Sequence, residues 1–320
     1  MIYLILFVLS FFLTYFIKEY AIKKSLVAQV NERSSHTVPT PHGGGIAIAL
    51  TWFVGLCYLY ITDGIDTSLF YAFSAGILIS VVSFFDDLYE LSPKIRLVIQ
   101  SAVAVLGLVA IGGLKSIDLG LFTIENQFIT NIFAFLLIVW YINLTNFIDG
   151  INGYVGSMFV FLGVAGLMLV GDAYFGVLAV AVLGFLYWNW NKAKIFMGDV
   201  GSTLLGYNIA IITLYYANEQ STNLLIWIIL FGLFWFDATV TLIRRKLNGE
   251  KLSQAHKKHA YQRLTQAGWS HYKVTNFSIM INLSLFAIVY LLHNVFLAFF
   301  IAIMVLSLSM KYVDNKKRFE

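Results

Sequence analysis

The sequence predicts an all-α polytopic membrane protein. Of its 320 residues, 59% are hydrophobic and only 12% are charged, which is too little charge for a soluble domain of this length. Apolar runs approach the roughly 20 residues that a helix needs to cross a bilayer. The single cysteine, Cys57, lies inside one such run, which excludes intrachain disulfides and cysteine-based zinc sites.

About eleven apolar segments are predicted to cross the membrane. They lie roughly at residues 1–17, 45–62, 68–85, 95–111, 129–148, 154–170, 174–190, 203–217, 224–243, 273–292 and 294–310. The first is read as a helix rather than a signal peptide, because it lacks a basic start and a small-residue cleavage site. Without internal repeats or low-complexity linkers, residues 1–320 are predicted to form a single integral membrane domain.

The distribution of lysine and arginine predicts the orientation of these segments. Twenty of the 21 Lys and Arg residues fall in one alternating set of loops and in the C-terminal tail, whereas Lys115 is alone in the opposite set. Because basic residues concentrate in cytoplasmic loops, the N-terminus is predicted outside and the C-terminus in the cytoplasm. The longest cytoplasmic loop is then the basic, histidine-containing segment 244–273, and the net charge of +4 does not indicate nucleic-acid binding.

Three acidic motifs lie on the predicted cytoplasmic side. They are Phe85-Asp86-Asp87, Asn143-Leu144-Thr145-Asn146-Phe147-Ile148-Asp149-Gly150 and Phe196-Met197-Gly198-Asp199-Val200-Gly201-Ser202. Adjacent carboxylates at a membrane border repel one another and usually need a cation or a shared proton. Mg²⁺ prefers one or two carboxylates with phosphate oxygens and water, and glycines let a helix N-terminus approach phosphate. Together the motifs indicate a site for a metal ion and a phosphorylated substrate.

Other polar residues admit two interpretations. The segment Pro39-Thr40-Pro41-His42-Gly43-Gly44 predicts a shaped loop, with Arg33 and His36 before it, and Glu90 follows the first acidic motif. Asn143 either joins the site or bonds a neighbouring helix. Asp237, inside the ninth apolar segment, is either functional or structurally paired.

The histidines of the basic loop also leave alternatives open. His256 and His259 could bind zinc, although no third ligand is obvious nearby, or lie with the loop against anionic headgroups. Basic and histidine side chains that donate to a diphosphate fit better with carboxylates on the same predicted face. The sequence therefore favours a phosphate-binding role for this loop.

Taken together, these motifs resemble those of the polyprenyl-phosphate N-acetylhexosamine-1-phosphate transferases, glycosyltransferase family 4. They occur in the family's order between residues 33 and 263. The resemblance implies that undecaprenyl phosphate attacks the sugar-bound phosphorus of a UDP-N-acetyl sugar. UMP leaves, and a polyprenyl-diphosphate-linked sugar remains in the bacterial inner membrane to initiate a cell-surface polysaccharide.

The resemblance also implies roles for individual residues. Asp199 would bind Mg²⁺, or Mn²⁺ in its place, with support from Asp87, while Asp86 would act as a base or orient the lipid phosphate. The catalytic group would also include His256, His259 and Arg263, which would face the diphosphate or the sugar. The residues expected near the nucleotide are Thr40, Asn146, Asp149, Asn152, Asn189 and Phe196, the last by stacking on uracil.

Departures from the family pattern bear on the substrate. Asn152 stands where many relatives have aspartate, and no proline precedes Ala193-Lys194. The string from His256 to Arg263 lacks the three consecutive histidines of the peptidoglycan-precursor branch. The resemblance is therefore to enzymes that initiate O-antigen or capsule chains rather than to muramoyl-pentapeptide transferases.

Two other membrane-protein classes compete with this interpretation. A secondary transporter would place its charged site near the bilayer midplane and often shows repeated halves. A CDP-alcohol phosphotransferase would need an Ala-Arg pair after Asp149-Gly150, which the chain does not have. The sequence leaves open the identity of the sugar and the oligomeric state, with a homodimer among the alternatives.

Overall fold

The computed structural model describes residues 1–24, 27–28, 39–89, 91–252, 254 and 256–319. Arg33, His36 and Glu90 therefore lie outside the described residues. Two short antiparallel strand pairs occur, β1 (Val27–Ala28) with β2 (Thr40–Pro41) and β3 (Ile117–Asp118) with β4 (Thr123–Ile124). The helices are α1 (Ile2–Lys23), α2 (Gly45–Ile61), α3 (Thr67–Ser74), α4 (Gly76–Tyr89), α5 (Pro93–Ala110), α6 (Gln127–Ile148), α7 (Tyr154–Leu169), α8 (Ala173–Asn189), α9 (Asp199–Glu219), α10 (Leu224–Leu230), α11 (Gly232–Leu247), α12 (Ala260–Gln266), α13 (His271–Leu291) and α14 (Val295–Lys316).

Many of these helices are long and apolar enough to cross a membrane. In the described part of the chain there are seven such spans, with α3 and α4 counted together as Thr67–Tyr89. The bent pair of α10 and α11 makes an eighth candidate, and α2, α7 and α8 are shorter apolar helices. The chain is thus a multi-pass helical membrane protein, as predicted, while the number of eleven spans stays a prediction.

Helix α9 is the most enclosed of these spans, because 89% of the residues in its 18-residue apolar stretch are buried inside the protein. It packs against α2, α4, α6 and α10. Glycine allows the closest approaches: a Cβ on Gly45 would meet Gly201 N at 2.2 Å, and one on Gly206 would meet Tyr141 O at 2.4 Å. These contacts between backbones place the first residue of α9, Asp199, beside the ends of its neighbours.

The apolar segment 224–243 is divided rather than continuous. Helix α10 ends at Leu230, α11 begins at Gly232, and the two axes differ by 76°. The indole Nε1 of Trp235 donates to Ile228 O across the break at 2.7 Å, so a backbone carbonyl near the break is satisfied. The predicted loop 244–273 is likewise partly helical, because α11 extends to Leu247, α12 lies within the loop and α13 begins at His271.

Candidate functional site

Four aspartates mark one end of the helical bundle, which we call the Asp end. Asp86 and Asp87 lie near the end of α4, Asp149 follows α6, and Asp199 begins α9. Elements distant in sequence therefore bring the three predicted acidic motifs together. All four carboxylates line one cavity of about 780 Å³, the polar cavity.

A second cavity of about 800 Å³, the apolar groove, opens beside the first. Most of its wall is apolar and comes from α4, α5, α6 and α11, with examples in Ile79, Leu97, Leu136 and Leu242. The two cavities share a polar boundary, which we call the junction. It is formed by Asp86, Pro93, Arg96, Asn146, Asp199 and Gln262.

A loop with paired backbone holds Asp199 in place. Phe196 N–H donates to Pro41 O at 2.8 Å, Gly44 N–H donates to Phe196 O at 2.9 Å, and Gly45 N–H donates to Met197 O at 2.8 Å. Gly198 has a φ of +76°, and a Cβ there would lie 2.9 Å from Asp87 Oδ2. Glycine is thus needed at 198 both for its backbone conformation and for the approach of Asp87.

An arginine that the sequence reasoning missed connects two of the carboxylates. Arg96 Nη1 lies 3.1 Å from Asp86 Oδ2 and 3.9 Å from Asp199 Oδ2. The other oxygen of Asp86 accepts from Leu91 N–H at 2.7 Å. Because both carboxylate oxygens are engaged, these contacts favour the orienting role predicted for Asp86 over the role of a base.

The polar face of α6 also contacts the metal-binding candidate. Asn146 Nδ2 donates to Asp199 Oδ1 at 2.8 Å and to Ser202 Oγ at 3.1 Å. Asn143 Nδ2 donates to Gln100 Oε1 of α5 at 2.7 Å, so Asn143 bonds a neighbouring helix, the second of its two predicted interpretations. Asn146 therefore orients Asp199 in addition to lining both cavities.

The remaining carboxylates concentrate negative charge in the polar cavity. Asp199 N–H donates to Asp87 Oδ1 at 3.3 Å, which places these two residues together. Burial, followed by the charges of Asp199 and Asp87, raises the pKa of Asp149 to about 7. A cation bound here would offset this charge.

The carboxylates of the polar cavity fit Mg²⁺ better than a metal ion that needs three or more protein ligands. Among the described residues, no three His, Cys, Asp or Glu side chains gather into a metal-binding group. Mg²⁺ does not require one, since it is usually held by one or two carboxylates with substrate phosphates and water. Asp87 and Asp199 supply such a pair, whereas nothing in the described chain supports zinc at His256 and His259.

All of the predicted nucleotide contacts except Thr40 line the polar cavity. Its wall includes Asn152, Asn189 and Phe196. Asn189 Oδ1 accepts from Gly153 N–H at 2.8 Å and its Nδ2 donates to Ile195 O at 2.9 Å, so its amide ties two loops together. Asn152 Nδ2 donates to Asn191 O at 2.9 Å. The side-chain amides of Asn152 and Asn189 therefore make structural hydrogen bonds in addition to the contacts with the nucleotide that the sequence predicted.

The two predicted histidines line the apolar groove. Burial, followed by the charge of His259, lowers the pKa of His256 to about 4, so this imidazole is neutral near pH 7. Buried His259 lies with Nδ1 3.6 Å from Asp237 Oδ1, and Asp237 accepts from Ala260 N–H at 2.8 Å. Asp237 therefore holds the start of α12. Of its two predicted interpretations, functional or structurally paired, these contacts favour the second.

Two predicted site residues, Thr40 and Arg263, line neither cavity, although both lie in the described part of the chain. Thr40 is buried in β2, next to the loop that positions Asp199. Arg263 is buried and its Nη1 lies 2.5 Å from Asp314 Oδ1. The structure therefore does not place Arg263 beside the four aspartates of the Asp end.

Known proteins are similar to this chain over most of its length. A model of "Glycosyl transferase family 4" matches residues 69–217. A Bacillus subtilis protein named "Probable undecaprenyl-phosphate N-acetylglucosaminyl 1-phosphate transferase" is 33% identical over 280 residues, covering 81% of this chain and 75% of the relative. The chain belongs to glycosyl transferase family 4. The resemblance inferred from the motifs is confirmed.

More distant relatives carry related names. A Thermotoga maritima "Undecaprenyl-phosphate alpha-N-acetylglucosaminyl 1-phosphate transferase" is 26% identical, covering 86% of this chain and 86% of its own. A Mycobacterium tuberculosis "Decaprenyl-phosphate N-acetylglucosaminephosphotransferase" is 28% identical, covering 83% of this chain and 76% of its own. The comparisons give no support to the transporter alternative.

The part of this chain that the family model matches, residues 69–217, contains all four aspartates of the Asp end. It does not include the string from His256 to Arg263. It also contains Arg96, which was counted in sequence only as a basic loop residue. Gln262 at the junction and His271 in the polar cavity were missed as well. Arg96 follows the Ser92-Pro93 start of α5 by about one turn, a spacing that could have aimed it back at α4.

Proposed function

We propose that the protein transfers N-acetylglucosamine 1-phosphate from UDP-N-acetylglucosamine to undecaprenyl phosphate and releases UMP. Family membership and the names of the relatives support the reaction class and the choice of sugar and lipid. The observation that carries the proposal is the junction. Asp86, Arg96 and Asp199 lie where a polar cavity meets an apolar groove.

The residues that line the two cavities suit the two proposed substrates. The polar cavity offers amides from Asn152 and Asn189 and the ring of Phe196 to a nucleotide, with stacking on uracil as the proposed role of the ring. The apolar groove offers a wall of aliphatic side chains to a prenyl chain. A lipid phosphate and a sugar diphosphate bound in this way would meet at the junction.

The reaction exchanges one phosphorus–oxygen bond for another. An oxygen of the lipid phosphate attacks the sugar-bound β-phosphorus, the bond from that phosphorus to the α-phosphate oxygen breaks, and UMP leaves with its electron pair. A phosphate monoester is largely ionised at neutral pH, so Asp86 need not remove a proton. Its contacts with Leu91 N–H and Arg96 suit it to orient the arginine toward the attacking phosphate.

Asp199, supported by Asp87, is the proposed holder of Mg²⁺, with Mn²⁺ as the alternative. When bound there, the metal offsets the negative charge of the diphosphate and of the leaving phosphate. Asn146 fixes the orientation of Asp199 through its 2.8 Å hydrogen bond. Arg96 adds a fixed positive charge at the other side of Asp199.

The histidines would act from the side of the groove. His256 is neutral near pH 7 and can offer one hydrogen bond to a phosphate or sugar oxygen rather than a charge. His259 and Gln262 belong to the start of α12 and reach the groove, Gln262 from the junction itself. A supporting role for Arg263 is argued below.

Location and topology belong to the same proposal. Eleven spans would follow if the bent α10–α11 pair and the shorter helices α2, α7 and α8 all cross the membrane. The excess of basic residues would then put the Asp end, with the loop 244–273, on the cytoplasmic side of a bacterial inner membrane. One domain of residues 1–320 would there start a cell-surface polysaccharide, such as an O-antigen.

The reaction is tested with purified protein in detergent and UMP release as the measurement. Undecaprenyl phosphate and Mg²⁺ are combined with UDP-N-acetylglucosamine or with a panel of other UDP-N-acetyl sugars. We expect UMP only when lipid, metal and UDP-N-acetylglucosamine are all present. UMP from a different donor alone would overturn the choice of sugar, and no UMP from any donor with folded protein would overturn the reaction.

The orientation is tested by chemical labelling in intact cells. In a Cys57→Ser background, His293→Cys should react with a membrane-impermeant maleimide and Arg318→Cys should not. Both positions lie in the described chain, at opposite ends of α14. Labelling of Arg318→Cys alone would reverse the orientation.

A further inference from the structure

A cluster of ion pairs lies beside the site and outside both cavities. Asp314, near the end of α14, accepts from Arg244 Nη1 at 2.9 Å and from Arg244 Nη2 at 3.0 Å. Its Oδ1 also lies 2.5 Å from Arg263 Nη1, and the same nitrogen donates to Lys317 O at 3.0 Å. One carboxylate thus joins the end of α11, the middle of α12 and the end of α14.

A single aromatic ring covers the same cluster. The ring centroid of Phe319 lies 5.4 Å from Arg244 Cζ, 5.4 Å from Arg263 Cζ and 5.6 Å from Lys258 Nζ. Cations within about 6 Å of a ring face are attracted by its quadrupole. We call Asp314, Lys317 and Phe319 the C-terminal clasp.

The clasp is attached to the helix that reaches the junction. Arg263 lies one helical turn after His259, the residue that precedes α12, and directly after Gln262. Gln262 Oε1 accepts from His259 N–H at 3.2 Å, so the two groove-lining residues are tied to each other. The side chain of Arg263 is only 2% exposed, and a buried guanidinium that loses its carboxylate is strongly disfavoured.

We propose that Asp314 is a positioning residue for the transferase reaction: it holds α12 through Arg263, which keeps Gln262 at the junction and His259 in the wall of the apolar groove. This inference rests on the proposed function. Arg263 then acts through the clasp and does not touch the substrates. Asp237 fixes the start of α12, and the clasp fixes the following turn.

Kinetics separate this role from direct contact with substrate. We expect Asp314→Ala and Arg263→Ala each to lower kcat about tenfold, with little change in the KM for UDP-N-acetylglucosamine, and the double variant to lose no more than either alone. Asp314→Glu should restore most of the turnover, and Asn315→Ala, an exposed neighbour, is the matched control. A much larger loss for Arg263→Ala than for Asp314→Ala, or additive losses, would overturn the proposal.

Limited proteolysis tests the clasp without any turnover. Loss of Asp314 should speed tryptic cleavage at Lys257 and Lys258 several-fold relative to the wild type, while Asn315→Ala should not. If Asp314→Ala fails to fold, Asp314→Asn and Phe319→Leu provide the same two measurements. Unchanged cleavage together with unchanged turnover would refute the inference, whereas a folded wild type without turnover but with the cleavage effect would refute only the proposed function.

Discussion

Two segments that contribute to the site are held by different forces. The Gly-Asp loop, residues 194–201, is held by backbone hydrogen bonds to Pro41, Gly44 and Gly45. The described residues of the His segment, 248–252, 254 and 256–259, are held through side-chain charges. Arg245 donates to Lys251 O at 2.8 Å, to Gln254 O at 3.0 Å and to Glu250 Oε2 at 3.0 Å.

The difference shows where each segment is sensitive to change. Backbone pairing does not depend on side-chain identity, except where glycine permits close approach, so the Gly-Asp loop should fail mainly at glycines and at Asp199. The His segment depends on buried Arg245 and on the pair between Lys258 and Glu250 at 2.8 Å. Ion pairs of that kind weaken with salt when exposed and fail when one partner is removed.

The largest effect is expected for Asp199→Asn. The change removes the charge that would bind Mg²⁺ and contact Arg96, yet leaves the shape of the loop unchanged. Turnover should fall on the order of a thousandfold, measured as UMP release, with an unchanged elution profile in detergent. Near-normal turnover would remove Asp199 from the metal site and would leave the Gly-Asp loop with a structural role only.

A pair of glycine substitutions compares the two segments directly. Gly198 and Gly249 have φ angles of +76° and +75°, so alanine costs roughly 1 kcal/mol of backbone strain at either position. Only at Gly198 would the Cβ meet a functional atom, since nothing lies within 4 Å of a Cβ at Gly249.

We therefore expect Gly198→Ala to lower turnover about tenfold or more through displacement of Asp87, and Gly249→Ala to stay within about twofold of the wild type. UMP release and the thermal midpoint should be measured together. Equal losses of turnover in both variants would show that general strain, rather than the approach of Asp87, is responsible.

A change in KM rather than in kcat is expected for Phe196→Ala. The backbone N–H and C=O of Phe196 keep their bonds to Pro41 and Gly44 in this variant, so the change tests the ring alone. Loss of stacking on uracil should cost about 1–3 kcal/mol and should appear in the KM for the UDP-sugar. An unchanged KM would argue against the stacking role.

The sequence predicted what depends on local pattern. The apolar runs predicted a multi-pass helical protein, and the motifs at Asp86, Asp149 and Asp199 predicted the family and the gathering of these carboxylates. The break at Phe231 was not predictable from hydropathy, because both sides of it are apolar.

Pairings between distant residues could not be found in one sequence. Arg96 and Arg263 are both basic residues on the same predicted side of the membrane, but one meets Asp86 at the junction and the other meets Asp314 at the end of α14. Which carboxylate each arginine meets depends on helix packing. The sequence therefore assigned Arg263 to the site and overlooked Arg96.

The burial of α9 has a consequence for how the protein is made. Its most apolar stretch is the least hydropathic of the seven spans, because it contains polar residues such as Ser202, Thr203 and Asn208, which are buried inside the protein. A segment of this kind gains little from entering lipid alone during synthesis at the translocon. We expect α9 to integrate stably only once earlier helices such as α4 and α6 are in place to receive it, which makes the nascent chain before residue 199 a prerequisite for its insertion.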